Sequence, residues 1–170
     1  MPSNTLPIDP LIQLVIDLLN KTGPTELRGR YINGDVMMPK RRELPLCYIA
    51  KDRTTAQPAN NMEDEHLAQL VATVIHDWTQ DLNKSYDMVA GFPKLYDMVE
   101  GRNADLSLKE RTLFYQLRKA QQLAQNAWLG VGSTVDADYG IGINRRGPGS
   151  FSIEATIKFT VRVHTPRPGL

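Results

Sequence analysis

Apolar and polar residues alternate almost without error from Phe151 to His164. Phe151, Ile153, Ala155, Ile157, Phe159, Val161 and Val163 fall on one side, with Ser152, Glu154, Thr156, Lys158, Thr160, Arg162 and His164 on the other. Period two predicts a β-strand with one buried face. At about 3.3 Å per residue it would span about 40 Å, far more than the usual strand of about five or six residues. A strand of that length can outrun its own domain, and an uncovered edge invites pairing with another chain.

Helical spacing dominates the other end. Leu11, Leu14, Val15, Leu18 and Leu19 form one stripe behind Asp9, a good N-cap, and Pro10, which suits the first helical position. Gly23-Pro24 ends that helix. Residues 1–8 read as a loose arm and 24–43 as a loop with short extended pieces. Leu44 to Ala50 is an apolar strand candidate, with Pro45 marking an edge or a strand beginning. Residues 51–62 are polar and turn-forming, which predicts a surface loop. Leu67, Leu70, Val71, Val74, Ile75 and Trp78 keep helical spacing, yet LVATVIHDW is rich in β-branched residues. Period and propensity disagree there. Tyr86, Val89, Leu95, Tyr96 and Val99 predict a helix that Gly91 and Pro93 bend and Gly101 ends. Ser107 with Glu110 matches a capping box, and Leu113, Phe114, Leu117, Ala120, Leu123 and Ala127 extend a helix to Asn126 or Ala127. Thr134 to Asn144 has strand character, and Gly147-Pro148-Gly149-Ser150 turns into the final strand. Residues 166–170 form a proline-rich tail. The chain thus reads as an arm at 1–8, a single domain at 9–165 and that tail.

Composition adds limits. With 170 residues, 41% hydrophobic and 23% charged, the chain can bury a core of its own. No apolar run approaches the roughly 18 residues of a membrane-spanning helix, so no membrane partner is expected. No basic start followed by an apolar stretch marks a signal peptide. Cys47 is the single cysteine, so no disulfide forms within the chain, and its apolar neighbours predict a buried thiol. The formal net charge is +1, but it is unevenly placed: residues 21–53 carry net +4, residues 60–100 net −6 and residues 101–170 net +5. Such segregation can steer one copy onto another or onto a partner.

Candidate chemistry is sparse. His76-Asp77, with His66 and Asp64 upstream, is the strongest hydrolase pattern, since paired His and Asp can hold a metal and activate water. Ten residues separate the two histidines, and no third lies near. Asp136 and Asp138 would share a strand face without a Gly-rich calcium loop. Nucleotide, P-loop, serine-hydrolase and zincin motifs are missing. No catalytic, cofactor or metal residue is therefore assigned, and no cofactor is expected. Two basic clusters, Lys40, Arg41, Arg42 and Arg145, Arg146, are the candidates for meeting phosphate or a protein surface.

The order of LIQLVIDLL, LPLCYIA, VEGRN, ERTLFYQLRKA, DADYGIGI and SIEATIKFTVRV resembles the layout of tail terminator, or tail completion, proteins of long-tailed bacteriophages, over most of residues 10–165. The resemblance implies an α+β fold: a mostly antiparallel β-sheet, helices packed on one face and a long C-terminal β-hairpin. On that layout residues 67–77 are strand rather than helix. The 84–127 helical region departs from the pattern, and DMVAGFPKLYDMV reads as an added helix. The resemblance also implies a non-enzymatic virion subunit, assembled in the host cytoplasm, that closes into a homo-oligomeric ring, usually a hexamer. Its partners would be the tail tube and neck or connector proteins, with transient non-specific contact to genomic DNA at the basic loops. Another connector or tube protein, a small metal-dependent hydrolase and a nucleic-acid-binding module are the alternatives.

Overall fold

The computed structural model describes residues 8–35, 39–77, 91–132, 134–140, 144–145 and 151–169. Among the described residues there are three α-helices: α1 (Pro10–Thr22), α2 (Gly91–Glu100) and α3 (Leu113–Arg118). Eight strands accompany them: β1 (Tyr31–Asn33), β2 (Leu46–Pro58), β3 (Glu63–Asp77), β4 (Gln121–Ala124), β5 (Ala127–Leu129), β6 (Asp136–Tyr139), β7 (Asn144–Arg145) and β8 (Phe151–Pro166). They form one sheet in the order β1-β2-β3-β8-β5-β4, with β6 and β7 also paired to β8. Among the described residues only the β1–β2 pair is parallel. This is the α+β fold expected from the sequence. The C-terminal hairpin is built from β8 and a broken return strand, β5 to β7.

The long alternation is β8, and its apolar side is the floor of the core. Ile153, Ala155, Ile157, Phe159 and Val161 are buried, and α1, α2 and α3 supply Val15, Leu19, Leu95, Val99, Leu113 and Leu117 above them. The helices cover this one face of the sheet. A smaller cluster of Leu44, Leu46 and Ile75, with Ile32 and Tyr48, packs on the opposite face.

That second cluster explains the ambiguous segment. Residues 63–77 are strand, as the expected layout required for 67–77. Leu70, Ala72 and Val74 enter the main core, while Thr73 and Ile75 are buried on the other side. A strand flanked by β2 and β8 and covered on both faces over residues 72–75 reads there as a continuous apolar run, and so imitates helical spacing.

Three expectations are corrected. Residues 51–58 are not a loop: β2 continues to Pro58, paired with β3 as far as Asp64, and the turn is confined to residues 59–62. All eight residues from Lys51 to Pro58 are exposed, so this strand carries no apolar face for a period to reveal. The helix placed at 113–127 stops at Arg118, where Lys119 turns extended, and β4 and β5 follow. Pairing of Ala127 with Val163 and Leu129 with Val161 draws that stretch into the sheet. The cap of this helix is Thr112, whose hydroxyl accepts from Tyr115 N at 3.3 Å, rather than Ser107. The cap at Asp9, Pro10 within the first turn and the end of α1 at Gly23 are as expected. Gly101 follows the last residue of α2, and Pro93 lies inside that helix's first turn. Residues 1–7, 78–90 and 146–150 lie outside the described residues, as do the N-terminal arm, Trp78 and the Gly147–Ser150 turn placed there.

Candidate functional site

Strands β2, β3 and β8 extend past the helical layer. On the helix-facing side Ala68 and Leu70 of β3 are buried, whereas Thr54, Ala56 and Pro58 of β2 are exposed. At about 3.3 Å per residue, Lys51–Pro58 projects about 26 Å. A bulge between Lys51 and Arg53 marks where the projecting part begins. β1 covers β2 only at Cys47–Ile49, so among the described residues the edge from Lys51 onward pairs with β3 alone.

This projecting hairpin is ordered by its own polar contacts. At the turn Asn60 Oδ1 accepts from Met62 N and Glu63 N, both at 2.8 Å. Arg167 donates from Nε to Asp64 Oδ1 at 3.0 Å and from its backbone N to Met62 O at 2.8 Å, tying the end of the chain to the tip. Across the face away from the helices, Gln57 Nε2 donates to Glu65 Oε2 at 2.6 Å, and Arg162 Nε lies 2.9 Å from Glu65 Oε1. His164 Nε2 is 3.6 Å from the same carboxylate and stacks edge-on against Trp128 at 5.2 Å. The hydrogen bond from Gln57 leads, with Arg162 and His164 adding to it, in holding the Glu65 carboxyl below its ordinary range against a burial cost. Cross-strand polar pairs of this kind hold a ladder where no apolar core does.

Lys40–Arg42 and the backbone of Arg145 lie at the opposite end of the sheet. Arg41–Glu43 is a short 3-10 turn just before β2. Lys40 and Arg42 are exposed, and Lys40 N donates to Glu43 Oε2 at 2.8 Å. Leu46 pairs with Ile75, Ile75 with Glu154, and Arg145 with Phe151, so β2 begins at the end of the sheet where Arg145 lies. Three strand spacings of about 4.8 Å separate the β2 and β7 backbones there. Arg145 is placed by its backbone alone, and Arg146 lies outside the described residues.

The hydrolase constellation is not assembled. His66 and His76 sit on one face of β3, but ten residues of strand put them about 33 Å apart. His66 Nε2 lies 2.8 Å from Thr165 Oγ1. His76 instead lines a cleft of about 710 Å³ with Glu26, Arg30, Asp97 and Met98. Among the described residues no three His, Cys, Asp or Glu side chains are grouped to hold a metal. Asp136 and Asp138 do share a face of β6, both exposed. Cys47 is fully buried, and that burial pushes its thiol up.

Sequence reasoning missed the projecting edge because its residues are polar on both sides. The Asn60-Asn61 turn signal and the β-branched Thr54-Thr55 pair were the available hints. No protein-family model matches this chain, and no curated protein matches it.

Proposed function

We propose that the chain is a structural virion subunit, a tail terminator that closes into a ring on the end of a phage tail tube and connects it to the neck. The observation that supports this most is the projecting β2–β3 hairpin, with eight consecutive exposed residues on a strand edge that lacks a partner among the described residues. Such an edge is costly to leave bare, and a neighbouring chain satisfies it by main-chain pairing. A ring of repeated heterologous contacts covers every copy's edge once. The layout of α1, β2, β3 and the C-terminal hairpin also follows the order that the resemblance implies. In this reading the basic end, with Lys40, Arg41, Arg42, Arg145 and Arg146, faces the channel and touches passing DNA weakly.

Light scattering across a concentration series, with imaging of the large species, tests the reading. A closed ring, most simply of six copies, is the expected result. A chain that stays monomeric at every concentration overturns a self-closing ring. Neutralising the five basic residues should leave the ring intact and slow DNA passage through assembled particles. Unchanged passage removes the channel role.

A further inference from the structure

The two lateral edges of the sheet are stepped, and the steps fit each other. We infer that β1 and the bare part of β2 in one copy join β6 and β4 of a second copy, β1 antiparallel to β6 and β2 parallel to β4, so that one sheet continues through successive copies. This inference rests on the ring reading above and names its interface.

The ladder registers carry it. On one side of the sheet β1 covers β2 at Cys47–Ile49 and leaves Lys51–Pro58 bare. On the other side β4 covers β5, while β6 has no described strand beyond it. Pairing traced across the sheet puts Tyr31, Cys47, Val74, Ala155 and Tyr139 on one rung. It puts Thr55, Leu67, Arg162, Trp128 and Gln122 on another. β1 therefore stands level with β6, and the bare part of β2 level with β4. A second copy generated by rotation about an axis parallel to the strands keeps every rung level. Its β1 then fills the notch beside β6, and its β2 reaches β4. In that shared line four ladder steps, about 13 Å, separate Asn33 from Gln121. Gly34, at φ +104°, and Lys119, the C-cap of α3, turn the two chains out of it.

Direction and charge agree with the steps. β2, β3, β8, β5 and β4 are antiparallel in succession, so β4 runs with β2, while β6 runs against β8 and so against β1. β1 and β4 carry no charged residue, so neither Arg53 nor Asp138 meets its own sign across the joint. Tyr31 falls opposite Tyr139, an aromatic cross-strand pair. Lys119 O packs against Gly130, the residue after Leu129, so Lys119 stands at the level of Asp52, the extra residue of the β2 bulge. Both are exposed, and neither is ion-paired among the described residues. The joint brings these opposite charges side by side. One contact thereby covers the bare edges of β1, β2, β4 and β6 together.

Two readouts test the joint. In the first, one tagged copy carries Thr55→Cys and a differently tagged copy carries Gln122→Cys, two exposed positions on one rung. The native Cys47 is buried and does not compete. Mild oxidation should link the two tags. A control pair of Thr55→Cys with Asp136→Cys, on the rung of Lys158 and one strand further away, should not link. In the second, Ala56→Pro removes one outward donor. Ala59 N donates to Glu63 O, so by alternation the N–H of Ala56 points to the free edge, as does the position of Pro58. The variant should fold, as circular dichroism checks, and should raise the concentration for half-assembly by about tenfold. Where it does not fold, the cross-link alone decides. No selective cross-link, or a folded Ala56→Pro chain that assembles as the unchanged chain does, overturns the joint. The ring reading fails separately: a selective cross-link in species that never close into rings keeps the edge joint and removes the terminator role.

Discussion

Asp9 ties three elements together. Its Oδ1 accepts from Leu11 N at 3.0 Å and Ile12 N at 3.1 Å, capping α1, and its Oδ2 meets Lys51 Nζ of β2 at 2.6 Å. Asn33 Nδ2 of β1 donates to its carbonyl at 2.9 Å. Burial works against its charge, but the hydrogen bond from Lys51 and the two backbone N–H groups outweigh it, so the carboxyl stays below its ordinary range. Asp9→Ala should cost about 1–2 kcal/mol at neutral pH, measured by denaturant unfolding. A carboxyl whose pKa is depressed on folding adds stability that is present above the unfolded value and lost as pH falls through the folded one. Asp9 and Glu65 are both depressed, so stability should fall on acidification below about pH 4, and Asp9→Ala or Glu65→Gln should each flatten that limb. An acid limb of the same slope in both variants would refute the assignment. Phe159 is among the largest side chains buried in the core, and Phe159→Ala should cost about 3–5 kcal/mol. Gly130 has φ +73° and a Cβ there would lie 2.6 Å from Arg118 O, so Gly130→Ala should destabilise by more than about 1 kcal/mol.

At the scale of elements, α3 separates local from tertiary control. Its apolar spacing continues past Arg118, yet the helix ends there and the chain turns into the β4–β5 hairpin. Leu129 sits in the core against β8, which a helix continued to Asn126 or Ala127 would forbid. Thr112→Ala should remove the cap and cost about 1 kcal/mol, whereas Ser107→Ala, in an exposed turn, should stay within about 0.5 kcal/mol. Equal effects in thermal unfolding would return the cap to Ser107. The β2–β3 hairpin shows the reverse case. Its inner half is apolar and its outer half polar, but one ladder runs through both from Leu46↔Ile75 to Pro58↔Asp64. Pairing persists beyond the core because β8 supports β3 along its full length, from Glu63↔Pro166 to Asp77↔Ser152.

Across the whole molecule, protection should follow coverage. The amides of β3 and β8 between Ala68 and Ile75, and between Ile153 and Val161, should exchange slowest. Those of β2 from Asp52 to Gln57 that point away from β3 should exchange fast in the monomer and become protected on assembly; fast exchange in the assembled species would place the interface elsewhere. Much of this architecture is present in the residue pattern. The alternation at 151–164 determined β8 and the face it buries, because one side of that strand meets the helices and the other does not. Asp9, Pro10 and Gly23 determined α1, because capping and termination are local chemistry. Tertiary structure decided the rest. In the 67–77 strand burial on both faces at residues 72–75 erased the period, and in residues 51–58 exposure on both faces did the same. Residues 121–129 joined the sheet because β8 offered an edge whose pairing outweighed helical spacing. That Lys40–Arg42 and the backbone of Arg145 lie at one end of the sheet is likewise a consequence of ladder register. Sequence alone carries the chemistry of each position, and only the packed fold determines how many of its faces are covered.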